Sequence, residues 1–167
     1  SLEVARSALR SRRNRILRIC WETNGGMNPL LLDEALEIAL ESGGCIKFDL
    51  KADSAQVYLA LCGTEGFHCK ENFLRAAQRF KERRDPPLIV ASTLLVPGYI
   101  DEREIEGLAT FIASIDKDIP YTLLGFSPCF YMQDLPYTSK SFALRAKEIA
   151  LSCGLKRVEI ANTHILI

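Results

Sequence analysis

Short, mostly apolar segments alternate along the chain with longer segments in which hydrophobic residues recur at helical spacing. The short runs predict strands over residues 16–22, 45–51, 88–96, 121–126 and 157–160. The longer segments predict helices over residues 1–14, 29–42, 54–61, 70–83, 101–115 and 139–152. Such alternation is typical of an α/β fold with a parallel sheet and right-handed crossovers, either an open doubly wound sheet or part of a barrel.

Turn and capping residues mark several of the predicted boundaries. Gly43 and Gly44 close the second helix, and Pro97 with Gly98 ends the third strand. Asp101 and the glutamate three residues later have the spacing of a capping box, in which each side chain accepts from the backbone of the other residue. These signals agree with the boundaries that the apolar pattern indicates.

Polar residues collect at the carboxyl ends of the predicted strands. In both candidate architectures, ligands bind at that edge of the sheet. Because consecutive parallel strands end side by side, we expect these side chains to line one cavity. They are Glu22, Thr23, Asn24, Asp49, Lys51, Ser92 and Ser127.

Asp49 and Lys51 are the most informative of these residues, because an extended strand places positions two apart on one face. Burying charge at the end of an apolar run costs desolvation free energy, which a ligand would offset. The carboxylate suits hydroxyls or an amine, and the ammonium suits a carboxylate or phosphate. The alternative is an ion pair in which the two charges only neutralise each other. For residues 22–24 the alternative is a turn whose polar groups satisfy the backbone.

The composition describes a single soluble domain over residues 1–167. The chain has 21 basic and 21 acidic residues, no formal net charge and 48% hydrophobic residues. A core can therefore form, and there is no global attraction to nucleic acid or to an anionic membrane. We expect the basic face of the first helix to be solvated. Without a membrane-spanning run or a secretory signal, a cytoplasmic location is expected.

The cysteines and histidines suggest neither a metal site nor a nucleophile. We expect the six cysteines to be reduced and mostly buried, because their spacing matches no zinc or iron–sulfur pattern. Cys62, His68 and Cys69 are a conceivable metal set without a recognised chelate spacing. Cys129 lacks a visible partner base, so a packed thiol is the simpler interpretation than a nucleophile. We predict no catalytic residue and no metal ligand in this chain.

Taken together, the strand-end sequences form a specific pattern that covers the chain from about residue 16 onward. The motifs are Glu22-Thr23-Asn24-Gly25, Asp49-Leu50-Lys51, Leu94-Leu95-Val96-Pro97-Gly98, Phe126-Ser127-Pro128, the spaced set Tyr131, Met132, Asp134, Pro136 and Thr138, and Ala161-Asn162. Their order and intervals resemble those of the radical S-adenosylmethionine enzymes. Within these enzymes the resemblance is to the group of the pyruvate formate-lyase activating enzyme.

The resemblance implies a partial (β/α)6 TIM-like barrel, of which this chain would be the carboxyl-terminal portion. In such enzymes a 4Fe–4S cluster cleaves S-adenosylmethionine reductively. The resulting 5′-deoxyadenosyl radical abstracts hydrogen from a small-molecule substrate or from a glycine of a glycyl-radical partner protein. The acid and threonine of the first motif and the Asp-x-Lys of the second hold polar parts of the cofactor. The cofactor-binding residues predicted for this chain are Glu22, Thr23, Asn24, Asp49, Lys51, Ser92 and Ser127.

Three features depart from the family pattern. The Cys-x3-Cys-x2-Cys loop that holds the cluster is absent from this sequence, so we expect a longer parent protein and no radical initiation by this chain alone. Ser127 stands where a histidine contacting the cofactor is usual, and Ser92 stands where an arginine is expected. A serine can form hydrogen bonds but supplies no charge. Ala161-Asn162 replaces the usual Gly-Asn.

Two other functions stay open. The same scaffold could be a non-catalytic module that binds S-adenosylmethionine or another small metabolite, or a structural fragment in which Asp49 and Lys51 pair only with each other. If strands are missing, the strand over residues 16–22 becomes an exposed parallel edge. Because that edge carries Leu17, Ile19 and Trp21, we expect a homodimer through it.

Overall fold

Five strands form one fully parallel sheet in the order β1-β2-β3-β4-β5. The structure is a computed structural model and describes residues 1–167 except the side chain of Phe67. The strands are β1 (Trp21–Thr23), β2 (Ile46–Asp49), β3 (Ile89–Leu95), β4 (Tyr121–Gly125) and β5 (Val158–Ala161). The helices are α1 (Leu2–Ser11), α2 (Pro29–Ser42), α3 (Ala55–Cys62), α4 (Phe67–Ala77), α5 (Glu102–Ile115) and α6 (Lys140–Ser152).

The predicted α/β fold is confirmed, because helices alternate with strands that are neighbours in both sequence and space. This arrangement is consistent with a partial TIM-like barrel. Right-handed crossovers between consecutive parallel strands place the connecting helices on the same side of the sheet. Short 3-10 helices lie at Phe80–Glu82, Phe130–Met132 and Thr163–Ile165. In the part of the chain that the structure describes, no helix is both long and apolar enough to cross a bilayer.

The two faces of the sheet differ in chemistry. The face toward the helices is apolar, and Ile46, Phe48, Ala91, Tyr121 and Leu123 are fully buried there. Because side chains alternate along a strand, the residues between them point to the other side. We call that side the open face. The side chains on the open face include Glu22, Lys47, Asp49, Thr122 and Leu124, which are at least partly exposed, and Ser92, which is buried.

The strand predicted over residues 16–22 is much shorter than expected. Trp21 pairs with Ile46, which is the first residue of β2, so residues 16–20 have no ladder partner in the sheet. The homodimer prediction therefore concerns an edge of three residues and stays a prediction. The helix predicted over residues 70–83 also differs, because α4 ends at Ala77 and a separate 3-10 helix then buries Phe80.

The expectation that most cysteines are buried is wrong. Cys69 is buried, whereas Cys20 and Cys129 are exposed and the other three are half-buried. All six are free thiols. The exposed pair lies just outside strands whose apolar pattern suggested burial: Cys20 precedes β1, and Cys129 follows β4.

Glu104 does not complete the predicted capping box. Asp101 caps α5 by accepting from the amide of Glu104 at 3.0 Å. The Glu104 carboxylate instead accepts from the amides of Asp53 and Ser54 at 2.6 and 3.1 Å, and the residue is only 7% exposed. A Cβ on Gly107 would lie 2.3 Å from the Asp53 carboxyl group, so α5 approaches this loop closely. The loop that follows β2 is therefore held by α5.

We predict that Glu104→Ala lowers the free energy of unfolding by about 2 kcal/mol, because it leaves two half-buried amides without their acceptor. The matched control is Glu106→Ala on the exposed side of the same helix, which should change stability by less than about 0.5 kcal/mol. Urea unfolding of the two variants measures the difference. Equal destabilisation would contradict the role given to Glu104.

Candidate functional site

A cleft of about 290 Å³ lies on the open face at the carboxyl ends of the first strands. It brings together five of the seven residues predicted from the sequence, and it adds Lys47 and Leu124. Lys51 and Ser127 lie outside its lining. The cleft is lined by Glu22, Thr23, Asn24, Lys47, Asp49, Ser92 and Leu124.

The register of the sheet builds this cleft. Glu22 pairs with Lys47 across β1 and β2, and Asp49 pairs with Ser92 across β2 and β3. Paired positions on parallel strands point to the same face. The ammonium of Lys47 lies 3.4 Å from the Glu22 carboxylate, whose side chain is 77% exposed. Acidic and basic groups therefore alternate across the cleft.

Asp49 has one carboxylate oxygen engaged and one without a partner. Its Oδ2 accepts from the ammonium of Lys51, so the ion pair considered as an alternative does form. Its Oδ1 is buried and receives no hydrogen bond from the described residues. A buried carboxylate oxygen without a donor is costly. Because Asp49 lines the cleft, its carboxylate can accept from a hydroxyl or amine bound there.

Lys51 lies two residues beyond the end of β2, outside the strand to which the same-face spacing applies. Lys47 is the residue two positions from Asp49 within the strand. The prediction missed Lys47, although its spacing from Asp49 was visible in the sequence. Lys51 lines a separate cavity of about 140 Å³ beside the loop after β2. Its ammonium nevertheless bridges to Asp49.

Two polar side chains of the loop after β1 form hydrogen bonds to the backbone of the same loop. The amides of Gly25 and Gly26 donate to the side-chain oxygens of Thr23 and Asn24 at 3.0 and 2.9 Å. The turn considered as an alternative role is therefore present. The Thr23 hydroxyl hydrogen and the Asn24 amide group are still able to donate toward the cleft.

Asn72 of α4 positions this loop and was missed by the sequence analysis. Its side-chain nitrogen donates to the carbonyls of Gly25 and Met27, both at 2.7 Å, and the residue is 2% exposed. Gly25 has a φ of +80°, and a Cβ there would lie 3.1 Å from the backbone of Cys69. The sequence signal for this role was the position of Asn72 between Cys69 and Phe73 on the apolar face of a helix, where a polar side chain needs a hydrogen-bond partner.

The two serines of the predicted set have different settings. Ser92 is fully buried, and its hydroxyl donates to the carbonyl of Phe48 at 3.3 Å. Ser127 is half-buried in the loop after β4. That loop is held by Thr138, whose hydroxyl accepts from the amide of Phe126 at 2.8 Å and donates to the carbonyl of Leu95 at 2.7 Å.

A buried chain of hydrogen bonds supports the cleft from the helix side. The hydroxyl of Tyr121 donates to Thr93, and the hydroxyl of Thr93 donates to the carbonyl of Leu50, both at 2.8 Å. Burial raises the pKa of Tyr121 above its usual value, so the phenol stays neutral and keeps its donor. The bond to Leu50 fixes the backbone between Asp49 and Lys51.

The described residues do not assemble a metal site of three or more His, Cys, Asp or Glu side chains. Cys69 contacts the hydroxyl of Tyr58 at 3.0 Å. His68 contacts the carboxylate of Glu71 at 3.3 Å. The conceivable set of Cys62, His68 and Cys69 is therefore not gathered into a coordination sphere.

No protein-family model and no curated protein matches the chain. Among solved structures, it is similar to the crystal structure of a domain of pyruvate-formate lyase-activating enzyme from Bacteroides vulgatus ATCC 8482. The TM-score is 0.76 at 16% sequence identity, and the match covers 96% of this chain and 89% of that chain. At this identity the likeness shows a shared fold.

We predict that Asn72→Ala lowers the free energy of unfolding by about 2 kcal/mol, because one buried and one half-buried carbonyl lose their donor. It should also speed hydrogen exchange at the amides of Gly25 and Gly26. Hydrogen exchange followed by mass spectrometry measures the local effect. Glu71→Ala, whose side chain is 76% exposed on the same helix, is the control. Unchanged protection of the loop in Asn72→Ala would refute the positioning role.

Proposed function

We propose that this chain is the cofactor-binding portion of a radical S-adenosylmethionine protein similar to the glycyl-radical activating enzymes. The observation that carries the proposal is the buried, unpartnered Oδ1 of Asp49 in a cleft of alternating charges. The fold shared with an activating-enzyme domain supports it. Five of the residues assigned to the cofactor from the sequence line that cleft.

The donor set fits the polar groups of S-adenosylmethionine. Asp49 can accept from the cofactor's amine or ribose hydroxyls through its free oxygen, and Glu22 offers a second, more exposed carboxylate. Lys47, which lines the cleft, can bind the methionyl carboxylate with a charge-assisted hydrogen bond, while Lys51 holds the other carboxylate oxygen of Asp49. Thr23 and Asn24 add neutral donors at the rim. The carboxylates would also favour the positive charge of the cofactor's sulfonium.

A 4Fe–4S cluster does not fit the described residues. Such clusters require several cysteine thiolates converging on one centre. Cys20 and Cys45 lie at the amino ends of β1 and β2, while Cys62 is the last residue of α3 and Cys69 lies in the first turn of α4. The proposal for this chain is therefore cofactor binding. Radical generation in a longer parent would depend on thiolates from outside residues 1–167.

The same observation favours a second candidate, a module on this scaffold that binds S-adenosylmethionine or a related metabolite without radical chemistry. Both candidates use the same cleft and the same charged residues. Three cysteines spaced Cys-x3-Cys-x2-Cys elsewhere in the parent protein would favour the radical enzyme. Their absence from the complete parent sequence would favour the binding module.

For the radical enzyme, we propose that the substrate is either a small molecule or a glycyl-radical partner protein.

Calorimetric titration of S-adenosylmethionine into this chain tests the proposal. We predict measurable binding that Asp49→Ala and Lys47→Ala each weaken at least about tenfold, since each removes a charged group that lines the cleft. Arg145→Ala is the matched control, because it breaks an exposed contact of 3.5 Å with Glu102 on the helical layer. Circular dichroism establishes that each variant is folded. Absence of binding, or equal affinity in all variants, would contradict the proposal.

A further inference from the structure

Cys20 and Cys45 lie opposite each other at the amino ends of β1 and β2. The ladder begins with Trp21 paired to Ile46, and the amide of Trp21 donates to the carbonyl of Cys45 at 2.8 Å. The two cysteines immediately precede these paired residues. Neighbouring strands lie about 4.8 Å apart. A disulfide spans Cα separations of about 4.4–6.8 Å.

Both thiols point to the same side of the sheet. Trp21 faces the helices, where its ring nitrogen donates to the carbonyl of Ala35 at 3.1 Å, and Ile46 is fully buried. Because side chains alternate along each segment, Cys20 and Cys45 point to the open face. There they form the row next to the Glu22–Lys47 ion pair.

Close backbone contacts hold the two cysteine-bearing segments together. A Cβ on Gly44 would lie 1.8 Å from the carbonyl oxygen of Ile19, so only glycine permits this approach. The amide of Ile19 also donates to the hydroxyl of Ser42 at 3.0 Å. The residues before both cysteines are therefore fixed against each other.

The two thiols differ in access and acidity. Cys20 is exposed, whereas Cys45 is half-buried. Burial, reinforced by the neighbouring Cys20 thiol, raises the pKa of Cys45 to about 11. A dissolved oxidant therefore meets Cys20 first, and Cys45 is held beside it as a protonated second thiol.

We propose that Cys20 and Cys45 are a redox-active dithiol that a small-molecule disulfide oxidises to an intramolecular disulfide. The Cys20 thiolate first attacks the small disulfide, which forms a mixed disulfide and releases one small thiol. Cys45 then loses its proton to solvent and attacks the Cys20 sulfur, which releases the second small thiol. The protein gives up two electrons and two protons, and these convert one small disulfide into two thiols.

The bond would join the edge strand β1 to β2 at the start of a ladder of three paired residues. A crosslink at that position limits how far the two strands can separate. It therefore keeps Glu22 beside Lys47 on the open face. The dithiol is a site separate from the cleft, because neither Cys20 nor Cys45 is among the residues that line it.

The test is equilibration of the chain with mixtures of reduced and oxidised glutathione, followed by acid quenching and intact-mass measurement. We expect a species lighter by two hydrogen atoms. Digestion with trypsin and a Glu-specific protease places Cys20 in residues 19–22 and Cys45 in residues 42–47. A single crosslinked pair of these two peptides identifies the bond.

Variants separate this dithiol from nonspecific oxidation. Cys45→Ser should accumulate a stable glutathione adduct on Cys20, because the resolving thiol is gone. Cys129→Ser removes the other exposed cysteine and should form the same internal bond as the unsubstituted chain. A persistent glutathione adduct on Cys20 in the unsubstituted chain, or a crosslink to a different cysteine, would overturn the proposal.

Discussion

The parallel register that sets Trp21 beside Ile46, and Ile46 beside Ile89, is the constraint on which the site depends. A slip of one residue would turn every side chain of a strand to the opposite face. In the observed register, charged residues of β1 and β2 share the open face. The same register places Cys20 beside Cys45. Gly44 supports this register because its lack of a Cβ lets the backbone of Ile19 approach. Trp21 supports it because its ring nitrogen donates to the carbonyl of Ala35 in α2.

Buried polar side chains then fix the loops at the carboxyl edge of the sheet. Each of them bonds to loop or strand backbone rather than to another charged side chain. Glu104 holds the loop after β2, Asn72 holds the loop after β1, and Thr138 holds the loop after β4. Leaving a buried polar side chain without a hydrogen bond costs free energy, so these bonds favour a single conformation of each loop. The cleft is consequently built on fixed loops, and the Oδ1 of Asp49 lies beside them without a donor from the described residues.

The fold and most of the candidate site could be predicted from the sequence, because both follow from local patterns. The apolar runs located all five strands, and the polar residues that follow them located the cleft. What the sequence could not show depends on which residues lie opposite one another. The length of β1, the place of Lys47 beside Glu22 and the bond from Glu104 to Asp53 all depend on distant partners. Cys20 is exposed because it points to the open face at the β1 edge of the sheet.

The most direct measurement is the proton–nitrogen correlation spectrum of the isotope-labelled chain as S-adenosylmethionine is added. We predict that the amide shifts are confined to residues 22–26, 47–51 and the neighbourhood of Ser92, which surround the cleft. Shifts centred on the apolar cavity beside Pro97, Tyr137 and Ile167, or no shifts at all, would contradict cofactor binding at the open face.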